Sequence, residues 1–181
     1  SKLTSLYGSE KIGRDIVDFN IEDITDWDVS NVGSMYGTFW GTKTNPNLEY
    51  WDVGKVTNMS YLFWEATYFN SDISNWDVKS VTGMEGMFGK ASFFNQDISN
   101  WNTSNVRQMR FMFESASNFN QNIGNWDVSS VLRFNRMFGG NTIFNQDLSN
   151  WDVSNASEMD SMFNSATSFN QDLSNWNVDN I

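Results

Sequence analysis

The sequence predicts an α/β repeat solenoid of about seven turns, each built from roughly 25 residues that form one short parallel strand and one short helix, a unit length typical of stacked repeats. Three observations predict it. The stretch Phe94-Asn95-Gln96-Asp97-Ile98-Ser99-Asn100-Trp101 returns as Phe144-Asn145-Gln146-Asp147-Leu148-Ser149-Asn150-Trp151 and again as Phe169-Asn170-Gln171-Asp172-Leu173-Ser174-Asn175-Trp176. Tryptophan recurs at Trp27, Trp51, Trp76, Trp101, Trp126, Trp151 and Trp176; the first step is one shorter than the rest, and the others are equal. Between the tryptophans, apolar residues hold fixed positions. A unit of this length cannot bury its apolar face alone, so units stack and share a continuous core.

Residues 1–18 do not fit the repeat. Leu3, Leu6, Tyr7, Ile12, Ile16 and Val17 lie there among charges, and a stack needs a different unit to close an open end. This segment reads as an N-terminal cap or a divergent turn, with the repeats running over 19–181. The unit ending at Trp51 is the most irregular and holds Pro46, the only proline. A residue without an N–H suits a turn rather than a paired strand.

Within a unit, Trp76 and Val78 are two apart, the strand period, which places a strand at Asn75-Trp76-Asp77-Val78. Ile73 is three before Trp76, so a bend near Ser74-Asn75 is needed to keep both inside. Val81, Met84, Met87, Phe88 and Ala91 then share one face of a helix of two to three turns. The stretch Phe94-Asn95-Gln96-Asp97 returns the chain to the next strand. The last unit stops at Ile181, before its own helix. The expectation is a fragment of a longer protein or a tip closed by another chain, with self-association through the ends of the stack.

Composition narrows the function. The chain holds 11 Lys+Arg against 22 Asp+Glu, a formal charge of −11. That balance argues against nucleic acid or an anionic membrane as partner, since both demand clustered cations. Cys and His are absent, which removes disulfides, thiolate metal sites, thiol nucleophiles and the commonest general base. No apolar run reaches the ~18 residues of a membrane span. Carboxylate pairs suggest glycoside hydrolysis, but these carboxylates recur as a lattice and form no singular place. The reading is a non-enzyme with no catalytic residues.

Three sets of residues stand out. The Asn column, Asn45 to Asn170 at the repeat period, reads as a side-chain amide ladder between turns. Two Asp columns hold Asp77, Asp127 and Asp152 in one and Asp72, Asp97, Asp147 and Asp172 in the other. Like charges stacked at this spacing repel. Water and salt screen them, or Asn and Ser share the load, or Ca²⁺ bridges neighbours through oxygen ligands. Ca²⁺ is the only cofactor the sequence suggests. The third set is aromatic. Trp40 and Trp64 occupy the same slot in adjacent units, where later units have Gly89, Glu114, Gly139 and Asn164. Tyr36, Tyr61 and Tyr68 lie in the same two units. Exposed rings on a repeat surface mark recognition; the competing reading is that they pack against the cap.

The run Met-Phe-x-x-Ala-x-x-Phe-Asn-Gln-Asp-Ile-Ser-Asn-Trp-Asp-Val-Ser-Asn-Val resembles the repeat of BspA-like leucine-rich-repeat surface proteins, with a near relative in mycoplasma surface lipoproteins. The resemblance covers about residues 19–181. It implies a leucine-rich-repeat-type solenoid, extracellular or cell-surface display, and adhesion. It carries over no ligand, since the family has no common binding motif to map. The functional expectation is a surface-displayed binding or adhesion module recognising a glycan or protein on another cell or host. The alternative is a structural spacer or stalk without a ligand of its own.

Overall fold

The computed structural model describes residues 24–181. The expected cap and the start of the first repeat, through residue 23, lie outside the described residues. From each Trp to the next the chain forms one coil, and successive coils lie side by side in register.

Neither expected element forms, so the α/β assignment is corrected. Among the described residues there is no helix. Strand pairing is reduced to isolated parallel bridges, Ser34–Asn58–Gly83–Gln108–Arg133–Glu158, one residue from each coil. These fall in the middle of each coil, not at Asn75-Trp76-Asp77-Val78. The leucine-rich-repeat architecture, with its strand in every turn, is overturned on the same ground.

The backbone hydrogen bonds explain what replaces the helix. In the Trp76 coil, Met84, Gly86, Phe88 and Lys90 donate their N–H groups sideways to Gln108, Arg110, Met112 and Glu114 in the next coil, at 2.6–3.0 Å. The alternate residues Met87, Gly89 and Ala91 donate to the carbonyl three back, at 3.0–3.2 Å. A helix would send every N–H to the residue four back. Here the segment is a run of turns, and every second donor ties it to its neighbour. Gly86 and Lys90, at φ +60° and +59°, sit third in the turns 84–87 and 88–91, the mark of type II turns. Glycine at 83, 86 and 89 weakens a helix by roughly 1 kcal/mol each. Val81, Met84 and Met87 are spaced by three, which fits turns as well as it fits a helix face.

Other coils place Tyr61 and Glu65, or Phe111 and Ser115, at the same positive φ. A non-glycine residue there costs about 1–2 kcal/mol. The sideways hydrogen bonds and the burial of the neighbouring column offset that strain.

The inside-outside pattern follows the sequence. Val81, Met84, Met87, Phe88 and Ala91 are fully buried, with Trp76 and Val78 beside them. Two turns bring Trp76 and Val81 inward: the Trp76 N–H donates to Ile73 O and the Val81 N–H to Val78 O. Each repeat Trp from Trp51 to Trp176 also donates its indole N–H to the carbonyl three residues before the preceding repeat Trp, as Trp101 does to Ile73 O at 3.2 Å. The phenylalanines form two columns. Phe63, Phe88, Phe113 and Phe138 stack from coil to coil at 5.7 Å. Each packs on its partner within the unit, Phe88 on Phe94 at 3.8 Å. Such a ring contributes about 1.5–3 kcal/mol when fully buried.

Polar residues that interrupt the apolar columns find partners. Thr103, in a Val slot, donates its hydroxyl to Asp127 O at 2.8 Å. Asn141, in an Ala slot, donates Nδ2 to Phe119 O and accepts the Phe144 N–H on Oδ1. The Asn column is a ladder: the Oδ1 of Asn45, Asn70, Asn95, Asn120 and Asn145 each accepts the backbone N–H of the next Asn, at 2.8–3.1 Å. Toward the last coil the packing opens, and Met159, Phe163, Phe169, Leu173 and Trp176 are only partly buried.

Candidate functional site

Because slots stack, residues one repeat apart in sequence become neighbours across coils. That brings Tyr36 and Trp40 of one coil against Tyr61 and Trp64 of the next. Trp40 stacks on Tyr61 with centroids 5.5 Å apart and planes 20° apart. Trp64 meets Tyr61 edge-on at 5.5 Å and Trp40 at 6.1 Å. Tyr36 meets Tyr61 edge-on at 5.6 Å. All four rings are half-buried. Tyr68 does not join them: it pairs with Phe93 at 5.5 Å, and both are about half exposed, at 53% and 51%.

The following coil gives Tyr61 and Trp64 a floor. A Cβ on Gly89 would lie 2.2 and 2.3 Å from Cζ3 and Cε3 of Trp64. A Cβ on Gly86 would lie 2.7 Å from two carbons of Tyr61 and 2.8 Å from Trp64. The rings therefore rest on bare backbone, and only glycine leaves room for them.

Charged groups complete the rim. The Tyr61 hydroxyl donates to Glu85 Oε1 at 2.6 Å, and Arg110 lies 4.0 Å from the same oxygen. Burial, then the bond and charge of Glu85, push the Tyr61 phenol well above its usual range. Lys90 Nζ donates to Glu65 Oε1 at 2.8 Å and sits 5.1 Å over the Trp64 ring, a cation–π contact. The Lys90 ammonium holds the Glu65 carboxyl below the usual carboxylate range, and the indoles of Trp64 and Trp40 add to this as hydrogen-bond donors. Glu65, Glu85, Lys90, Gly86 and Gly89 were not singled out by the sequence. The signal was there in the offsets: Tyr61 and Glu85, like Glu65 and Lys90, lie one coil period apart.

The Asp columns sit elsewhere on the coils and are exposed. Each carboxylate accepts the backbone N–H two residues on. Asp72, Asp97, Asp147 and Asp172 do so from serine at 2.9 Å. In the other column, Asp77, Asp127 and Asp152 do so from Lys79, Ser129 and Ser154. These are Asx turns. Hydrogen bonds from serine hold Asp72, Asp97, Asp147, Asp152 and Asp172 below the usual range, and Lys79 does the same for Asp77. Repulsion between neighbours, Asp97 on Asp72 and Asp172 on Asp147, works the other way. Among the described residues, no group of three or more His, Cys, Asp or Glu is placed to hold a metal ion.

With coils and site in view, the comparisons define the class. Residues 9–116 and 94–181 match the family described as Mycoplasma protein of unknown function, DUF285. The two matches overlap and together span most of the chain, and the chain belongs to this family. No curated protein and no solved structure matches it. Among the described residues, no helix is long and apolar enough to cross a membrane.

Proposed function

We propose that the chain is a surface-displayed recognition module, and that the Tyr36–Trp40–Tyr61–Trp64 patch is its contact surface. The observation that carries this reading is a cluster of four half-buried rings, two of which, Tyr61 and Trp64, are seated on the glycine backbone of the next coil. Rings needed only for the core are stacked inside, as the Phe columns are. These four instead stay half-buried at the surface, and Tyr61 and Trp64 depend on Gly86 and Gly89 for room. Tyr and Trp in such clusters are the residues that dominate binding surfaces. Membership in a mycoplasma repeat family, together with the resemblance to surface proteins, supports display outside the cell and adhesion to another cell or host. The regular coils beyond Trp76, whose equivalent slots hold Gly89, Glu114, Gly139 and Asn164, suit a spacer that carries the patch.

The test is binding of the chain to host cells and to glycan and protein arrays, beside a Trp40→Ala/Trp64→Ala variant of the same fold. Binding that is lost in the variant supports the reading. Equal binding by both chains, or none by either, overturns it and leaves the spacer role.

A further inference from the structure

We propose that the aromatic patch takes a neutral saccharide, held by ring stacking and by hydroxyl donation to Glu65 and Glu85. This deepens the recognition reading and rests on it. The polar groups at the patch select the chemistry. The Tyr61 hydroxyl is already committed to Glu85. The lone pairs that stay available at the rim belong to carboxylates, which accept and do not donate. A ligand there must supply hydrogen-bond donors and also present an apolar face to the rings.

Charge removes the alternatives. An anionic ligand finds the two cations of the rim, Lys90 and Arg110, already paired with Glu65 and Glu85, in a chain of net charge −11. A cationic one finds both already compensated, Glu65 by Lys90 at 2.8 Å and Glu85 by Arg110 at 4.0 Å. It would have to displace an existing ion pair and the ammonium over Trp64. A sugar hydroxyl donates to a free carboxylate lone pair without displacing either cation, and the C–H face of a pyranose covers an aromatic ring. Neutral hexose and N-acetylhexosamine polymers are thus the class that fits, ahead of sialylated or sulfated glycans and basic peptides.

The experiment is calorimetric titration of the full chain with neutral hexose and N-acetylhexosamine oligosaccharides, a sialylated oligosaccharide and an oligolysine peptide, with Trp fluorescence read in parallel. The expected result is binding by a neutral series alone. A Trp64→Ala variant should bind at least tenfold more weakly, and Glu65→Gln should weaken binding several-fold with an unchanged melting temperature. Tighter binding of the sialylated or lysine probe, or neutral binding indifferent to both substitutions, overturns the saccharide assignment. If proteins on an array bind through Trp40 and Trp64 while no sugar does, the saccharide assignment falls and the recognition reading stands. If no binding of any kind depends on those tryptophans, both fall.

Discussion

Replacing Gly89 with alanine adds one methyl group at the floor of the patch. Its Cβ would lie 2.2 Å from Trp64 Cζ3 and 3.2 Å from the Phe111 carbonyl oxygen. Ordinary carbon–carbon contact is about 3.5–4.0 Å, so the indole must lift by more than about 1 Å. The carbonyl on the other side blocks the backbone from giving way instead. Lifting Trp64 breaks its edge contact with Tyr61 and its place under Lys90. Overpacking of this kind costs about 1–3 kcal/mol, and a chain of this size loses roughly 2–4 °C of melting temperature per kcal/mol. The assay is thermal unfolding with Trp fluorescence, beside Gly139→Ala as control. That position is the same slot two coils on, where the nearest atom to an added Cβ is 3.3 Å away. Gly89→Ala should melt lower and change the Trp64 environment, while Gly139→Ala does neither. Equal behaviour of the two variants would refute the seating of Trp64 on Gly89.

Further outcomes follow from the coils. Trp101→Ala empties a buried slot and removes one of the two hydrogen bonds to the Ile73 carbonyl, so it should lower stability by about 3–5 kcal/mol in a denaturant titration. Ser115, exposed at φ +54°, should gain about 0.5–1 kcal/mol on replacement by glycine, the left-handed strain of ~1–2 kcal/mol exceeding the entropy that glycine loses; Ser115→Val should lose stability in the same assay. The Asp carboxyls held low by their turns contribute stability that is present above about pH 4 and lost as pH falls through their folded values. The melting temperature should drop on acidification through that window. Tyr61, whose pKa is raised, contributes below about pH 10 and ceases to do so above its folded value.

The columns were legible in the sequence because the period is strict. From Trp51 to Trp151 the Trp, Val, Met, Phe and Ala slots fall inward, while Trp27 and Val178 toward the ends are exposed. The local backbone was not legible, since steps of three from Val81 to Met87 satisfy a helix face and a string of turns alike. Only the sideways partners of Met84, Gly86 and Phe88 decide between them, and those lie a full coil away in sequence. The Ser74-Asn75 bend was readable, and the Asp72-to-Ser74 spacing also carried the Asx turn, which charge repulsion alone does not suggest. At the patch, Trp40 and Trp64 were visible as a repeated exception. Tyr68 shares a unit with Tyr61 and Trp64, but its slot opens beside Phe93. Glu65, Glu85 and Lys90 escaped notice because a column shows itself through identical residues, whereas the pairs that matter join unlike ones across coils.

The stacking register places every one of these pairs, and the N–H of Phe88 reports on it directly. It donates to Met112 O of the next coil at 2.9 Å, where a helix would have it donate to Met84. An NMR measurement of scalar coupling across the hydrogen bond distinguishes the two. Coupling from the Phe88 nitrogen to the Met112 carbonyl carbon is predicted; coupling to the Met84 carbonyl carbon would contradict the stack of turns.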